Sequence, residues 1–196
     1  MSKSKREILT FANQLTFFRI LLVPIFIFFV LYKKLNFALY TFIIAGITDG
    51  LDGLVARVWK QKTPLGTLLD PMADKLLLVS SFLILSFPSI SYPNTIPIWL
   101  TIFVIGRDVL IGTSALYIYL TRNIKTFNPS VLGKISTIFQ ILTVLFVLLS
   151  NYLFKRTIYL KGFYIMTLFF TILSGLHYLY IAFKLVKVKA VKLEED

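Results

Sequence analysis

Cysteine is absent from this chain and acidic residues are scarce. Without cysteine there is no disulfide, no thiolate metal ligand and no iron–sulfur cluster, while the redox compartment stays open. Histidine occurs once, as His177 among Leu176, Tyr178 and Tyr180, and is read as a packed or hydrogen-bonded residue rather than a ligand. Nine acids stand against 21 Lys and Arg. Glu7, Glu194, Glu195 and Asp196 lie near the ends, so the interior carboxylates are Asp49, Asp52, Asp70, Asp74 and Asp108. All but Asp108 share one short stretch. No internal repeat and no low-complexity tract is present.

Apolar residues, in contrast, make up 57% of the 196, and mean hydropathy is +0.81. That is far outside the soluble range and identifies an integral membrane protein. Runs of about 20 apolar residues cross a bilayer as helices. Six are expected, near residues 16–32, 36–57, 66–88, 96–121, 133–151 and 157–186. The fold class is therefore all-α, a polytopic membrane protein of about six transmembrane helices. Residues 1–15, with Lys3, Lys5 and Arg6 beside Ile8, Leu9 and Phe11, suit an amphipathic interfacial helix. A cleaved signal peptide is the competing reading, but Arg19 interrupts the apolar region and no small-residue cleavage site follows before Tyr32. Residues 16–187 form the membrane domain and 188–196 a charged cytoplasmic tail.

The net charge of +12 does not indicate nucleic acid, because the basic residues are spread over loops and helix ends. With the N-terminus in the cytoplasm, thirteen basic residues fall on inner segments and five on outer ones, namely Lys33, Lys34, Lys155, Arg156 and Lys161. This follows the positive-inside bias, with Lys33 and Lys34 against the trend. Both termini and the loop between the acidic helices then face the cytoplasm.

The acidic stretch runs from Asp49 to Lys75. Asp49 and Asp52 are three residues apart and Asp70 and Asp74 four, so each pair projects from one helix face. Pro64 and Gly66 break the helix between them, and an antiparallel hairpin brings the two faces together. Pro71 is tolerated within the first turns of the second of these helices. An ionised carboxylate at mid-membrane costs roughly 2.5–3.5 kcal/mol on insertion scales, so this cluster requires neutralisation. Hard divalent cations take such oxygen ligands, and four aspartates are about enough for two ions. A metal pair holds the attacking and leaving oxygens of a phosphoryl displacement. Gly50, Gly53, Ala56 and Gly66 keep side-chain bulk low, for close helix packing or for ligand contact. Arg57 suits a phosphate or a positive-inside anchor, and Lys75 either tunes Asp74 or snorkels.

The run Asp49-x-x-Asp52-Gly53-x-x-Ala56-Arg57, eight residues, Gly66, three residues, Asp70, three residues, Asp74 resembles the complete signature of the CDP-alcohol phosphatidyltransferases. The resemblance implies transfer of the phosphatidyl group of CDP-diacylglycerol to an alcohol, releasing CMP. It implies two Mg²⁺ or Mn²⁺ ions on Asp49, Asp52, Asp70 and Asp74, with Asp74 also the base for the acceptor hydroxyl. Asp52, Gly53, Ala56, Arg57 and Gly66 would surround the CDP moiety. A homodimer in a bacterial cytoplasmic membrane, with the active site facing the cytoplasm, is expected by analogy.

Asn13, Thr16 and Arg19, with Gly133, Lys134 and Thr137, look like the corresponding segments of phosphatidylglycerophosphate synthases, which use glycerol 3-phosphate. Arg107, Lys134 and Arg122 are then the candidates for the acceptor phosphate. Arg107 alternatively pairs with Asp108 or packs between helices, and Lys134 alternatively anchors at the interface. The Gly106-Arg107-Asp108-Val109 segment is instead more similar to eukaryotic-type cardiolipin synthases, whose acceptor is phosphatidylglycerol. A cation or proton transporter also keeps carboxylates in its spans, but transport routes recruit charge from several helices, whereas these lie in one hairpin.

Overall fold

The computed structural model describes the backbone of residues 11–58, 64–91, 93–122, 130–154 and 157–193, and the side chains of 14–50, 72–91, 93–115, 130–154 and 157–181. Every regular element among the described residues is a helix: α1 (Phe11–Leu31), α2 (Leu35–Val58), α3 (Pro64–Leu85), α4 (Ile98–Arg122), α5 (Val131–Tyr152) and α6 (Leu160–Leu193). The expected helices are found with ends shifted by a few residues. Phe11 to Leu15 already belong to α1, and residues 1–10 of the expected interfacial segment lie outside the described residues. At the other end α6 runs on through the expected tail to Leu193.

Four stretches among the described residues are long and apolar enough to cross a membrane: Gln14–Leu31, Ile98–Ala115, Val131–Tyr152 and Leu160–Ile181. In α2 the apolar part is shorter, Leu35–Gly50, because the acidic stretch begins at Asp49. The same stretch places Asp70, Asp74 and Lys75 in α3 and lowers its hydropathy. Phe17, Leu21, Ile47, Ile102, Ile165 and Phe169 are about half exposed or more, whereas Thr16, Ser81, Ser136, Gln140, Thr143, Thr167, Thr171 and Ser174 are buried. A water-soluble protein does not expose that much large apolar surface. In lipid, where apolar burial no longer drives helices together, small and hydroxyl-bearing residues make the contacts. The chain is an integral membrane protein.

The chain divides into two compact units. The first comprises residues 1–96 and 144–157. Within it α1 packs on both α2 and α3. Thr16, Arg19, Val23, Phe26 and Val30 are buried at spacings of three and four, the repeat that keeps one helix face against its neighbours. Leu35, Ala38, Phe42 and Ala45 form the matching stripe on α2, and the rings of Phe26 and Phe42 lie 6.0 Å apart. The turn from α1 into α2 uses a backbone cap. Lys33 adopts a left-handed φ of 56°, Lys34 N donates to Phe29 O at 2.9 Å and Lys33 N to Val30 O at 3.0 Å. These two bonds close the carbonyl end of α1 in the Schellman arrangement.

A buried knot of amides closes the same unit. Asn151 Nδ2 donates to Ser91 Oγ and to Asn94 O, both at 2.9 Å. Its Oδ1 accepts from Asn94 N at 2.8 Å and from Asn94 Nδ2 at 3.0 Å. Asn94 Oδ1 in turn accepts from Thr157 N at 3.2 Å. The loop read from sequence only as a proline-rich connection is thus tied to the last turn of α5. Asn151→Leu removes four hydrogen bonds and strands buried partners, each worth about 1 kcal/mol net and more when left unsatisfied. The expected cost is about 2–4 kcal/mol, seen as a lower thermal midpoint in detergent. An unchanged midpoint shows that the knot contributes nothing to stability.

The second unit comprises residues 97–143 and 158–196, with α4 packed on α6. Leu160, Tyr164, Thr167, Thr171, Ser174 and Tyr178 form the buried stripe of α6. It meets α5 through hydroxyls: Thr143 lies 2.7 Å from Thr167 and Ser136 3.3 Å from Thr171, with Phe139 stacked on Phe170 at 4.7 Å.

Candidate functional site

Three side chains from three helices meet at the acidic stretch. Asp49 sits on α2 and Asp74 on α3, and both direct an Oδ1 oxygen to the same nitrogen, Nη1 of Arg19 on α1. The contact to Asp49 is 3.0 Å, and the contact to Asp74 is a close ion pair. The first and last aspartates of the stretch therefore come together, as a hairpin of α2 and α3 requires. Arg19 belongs to the buried stripe of α1, and its side chain is 1% exposed. The two carboxylates keep 50% and 41% of their side-chain surface open. A buried cation thus holds one edge of a carboxylate pair whose other edge is accessible.

This is a hard, oxygen-rich donor set, and it fits a divalent cation better than any soft or nitrogen-seeking metal. The side chains of Asp52, Gly53, Ala56, Arg57, Gly66 and Asp70 lie outside the described residues, which hold no further acid or histidine beside this pair. Their backbone is helical, Asp52 to Arg57 in α2 and Gly66 and Asp70 in α3. Pro71, also in α3, is its eighth residue, about two turns from the start of the helix.

Arg107, in the second unit, is 7% exposed and held from several sides. Nη1 donates to Asp108 Oδ1 at 2.7 Å, Nη2 donates to Ser174 Oγ at 2.6 Å, and the guanidinium carbon lies 5.7 Å from the centre of the Tyr178 ring. Its Nε has no hydrogen-bond partner among the described residues. Tyr178 also accepts a hydrogen bond from Ser130 N at 2.9 Å. Ser130 caps α5 by accepting from Gly133 N at 3.0 Å. Gly133 allows a close approach: a Cβ there would stand 3.0 Å from the Tyr178 hydroxyl and 3.1 Å from Arg107 Nη2, so these side chains would have to give by a few tenths of an ångström. Of the other two acceptor candidates, Lys134 is exposed in the first turn of α5, and Arg122 ends α4 with its side chain outside the described residues.

Sequence reasoning had not assigned Arg19 to the acidic cluster. The available signal was its place in the spacing of Thr16, Val23, Phe26 and Val30, a charged residue on the buried stripe of a lipid-spanning helix. His177 is half-buried with its ring 6.4 Å from that of Tyr178, a packed position as expected.

A family model described as CDP-alcohol phosphatidyltransferase matches residues 9–183. The cardiolipin synthase (CMP-forming) of Homo sapiens is 33% identical, with 91% of this chain and 64% of the human protein covered. The CDP-diacylglycerol--glycerol-3-phosphate 3-phosphatidyltransferase of Aquifex aeolicus is 33% identical, covering 71% of this chain and 75% of that protein. Its counterpart from Haemophilus influenzae is 39% identical over 50% of this chain and 53% of its own length. The chain thus spans just under two-thirds of the human relative's length.

Proposed function

The chain belongs to the CDP-alcohol phosphatidyltransferase family, and on that premise we propose that it transfers the phosphatidyl group of CDP-diacylglycerol to a hydroxyl of a glycerol phosphate acceptor, releasing CMP. The observation that carries this reading is the meeting of Asp49 and Asp74 across α2 and α3, half-open and backed by Arg19. Asp49, Asp52, Asp70 and Asp74 are the residues that would hold Mg²⁺ or Mn²⁺, in a pair by the resemblance. Such ions, when bound, neutralise charge on a pyrophosphate and its leaving group.

The protein's own groups have separate tasks. Asp74 takes the proton of the acceptor hydroxyl as its oxygen forms a bond to the phosphatidyl phosphorus. The bond from that phosphorus to the bridging oxygen breaks, and CMP leaves with the electron pair. Arg19 touches neither substrate in this scheme. It is a positioning residue that fixes the rotamers of Asp49 and Asp74 and offsets their repulsion. Gly53, Ala56, Arg57 and Gly66 are assigned to the CDP moiety, and the reaction to the cytoplasmic face on the positive-inside pattern.

Two acceptors present the required glycerol phosphate. Glycerol 3-phosphate is the one favoured by the segments around Arg19 and Lys134, and phosphatidylglycerol the one favoured by the Arg107-Asp108 pair. The test is CMP release by purified protein in mixed micelles. CDP-diacylglycerol should yield CMP only when Mg²⁺ or Mn²⁺ and an acceptor are both supplied, and EDTA should suppress the rate at least 100-fold. Full activity in EDTA would remove the metal from the scheme.

A further inference from the structure

The turn between α1 and α2, in the first unit, breaks two rules at once. Lys33 and Lys34 stand against the positive-inside trend, and Lys33 takes its left-handed φ of 56° at a helix end where glycine is the usual residue. A side chain in that conformation is strained, so the backbone gains nothing from a lysine there. Both lysines are exposed, and neither forms an ion pair among the described residues. Every acid of this unit is either Glu7, ahead of α1, or one of the four between Asp49 and Asp74. Asp49 lies fourteen residues along α2 from Leu35, about 21 Å of helix. Counter-charge for the turn therefore has to come from outside the unit.

Aromatic rings flank the two lysines. Tyr32 is 65% exposed, and its ring lies 4.4 Å from that of Phe28. Phe28 meets Phe29 edge-on at 5.8 Å, and Phe29 stacks on Phe37 of α2 at 5.3 Å. This chain of rings passes from one helix to the other, and the two backbone bonds from Lys33 and Lys34 hold the turn above it. Phe28 and Phe37 are about half exposed, so the flank is both fixed and open to hydrocarbon. The membrane-crossing stretch of α1 ends at Leu31, which sets the lysines and the Tyr32 phenol at the level where hydrocarbon gives way to headgroups. The fixed anions at that level are lipid phosphates.

We propose that the α1–α2 turn is a docking surface for an anionic phospholipid, in the leaflet opposite the acidic stretch. The lipid phosphate lies between Lys33 and Lys34, with the Tyr32 hydroxyl as a further donor, and an acyl chain runs over Phe28 and Phe37. Selectivity comes from net charge. A phosphocholine headgroup carries its own cation beside the phosphate, whereas a headgroup without one leaves that task to the two lysines. Each lysine at a charged membrane surface is worth about fivefold in affinity, and the pair about 25-fold. The proposal stands apart from the transferase reading, since the turn holds none of the reacting groups.

The test uses phosphatidylmethanol, a singly anionic phosphodiester lipid with no hydroxyl to enter a transfer reaction, and phosphatidylcholine as its zwitterionic counterpart. Native mass spectrometry of the full chain in detergent resolves each bound lipid and gives its dissociation constant. The first phosphatidylmethanol should bind the wild type about tenfold more tightly than phosphatidylcholine. Lys33→Gln with Lys34→Gln should weaken it about 25-fold and leave phosphatidylcholine unaffected. Lys187→Gln with Lys189→Gln, on the part of α6 beyond its membrane-crossing stretch, should keep the wild-type affinity. An unchanged affinity in the first pair of substitutions, or an equal loss in both pairs, overturns the site. Displacement of the lipid by equimolar glycerophosphomethanol, its chainless headgroup, would reduce it to a phosphate site and overturn the lipid. Lys33→Gly separates binding from folding, because glycine accepts the left-handed turn without strain. This variant should raise the thermal midpoint in lipid-free detergent while weakening phosphatidylmethanol about fivefold. A lowered midpoint, or a raised one with wild-type lipid affinity, would assign Lys33 to the turn alone and defeat the proposal.

Discussion

Asp74→Asn should abolish transfer, lowering CMP release at saturating Mn²⁺ by at least 10³-fold, while the protein remains folded and monodisperse in detergent. The amide is nearly isosteric with the carboxylate and its oxygen still accepts from Arg19, so the ion pair seen between the two becomes a neutral hydrogen bond rather than a void. What disappears is the ability to take a proton. General base catalysis is worth about 10²–10⁴ in rate, and loss of a metal-ligand charge adds to that. A thermal midpoint near that of the wild type, together with the lost activity, separates a chemical role from a structural one. Wild-type turnover in this variant would remove Asp74 from the reaction altogether.

Arg19→Met should act differently on two measurable quantities. Removing the cation leaves Asp49 and Asp74 facing one another across α2 and α3 without the group that orients them, and turnover should fall about 100-fold. The same change strips one positive charge from beside the carboxylates. A unit charge at about 4 Å contributes roughly 4 kcal/mol at an effective dielectric near 20, and the half-open setting of both aspartates reduces this to about 1 kcal/mol. The divalent concentration for half-maximal rate should therefore drop about fivefold even as the maximal rate falls. Arg19→Lys, which restores the charge on a different geometry, should return the divalent dependence toward that of the wild type and recover only part of the turnover. If Arg19→Met raised the divalent requirement instead, Arg19 would be supporting the metal site rather than competing with it for charge.

How much of this was legible before any coordinates depends on which forces act locally. The helices were readable because a bilayer demands about 20 apolar residues in sequence, and the meeting of Asp49 and Asp74 followed from helical spacing and a break at Pro64. Arg19 was quoted for its family resemblance, but its partners on α2 and α3 lie 30 and 55 residues away, a separation that no periodicity encodes. The hydroxyls of Ser136, Thr143, Thr167 and Thr171 were hidden for another reason. Averaged over a span they barely lower hydropathy, yet they form the α5–α6 contact because a hydroxyl pair excludes lipid at short range. The Asn94–Asn151 knot was invisible for the same combination of distance and dilution. Arg107 was singled out for the acceptor phosphate, with the Asp108 pair named only as the alternative, and its contacts to Ser174 and Tyr178 arise only once α4 and α6 are set side by side.

The phenol of Tyr178 gives those contacts a mechanical meaning. Its hydroxyl takes the amide hydrogen of Ser130, the residue from which α5 starts, while its ring lies under the guanidinium of Arg107, with Gly133 filling the space between them. A substitution that shortens this phenol, Tyr178→Phe, would therefore leave the ring beneath the guanidinium in place and withdraw only the acceptor of the Ser130 amide, so the two duties of one side chain can be taken apart.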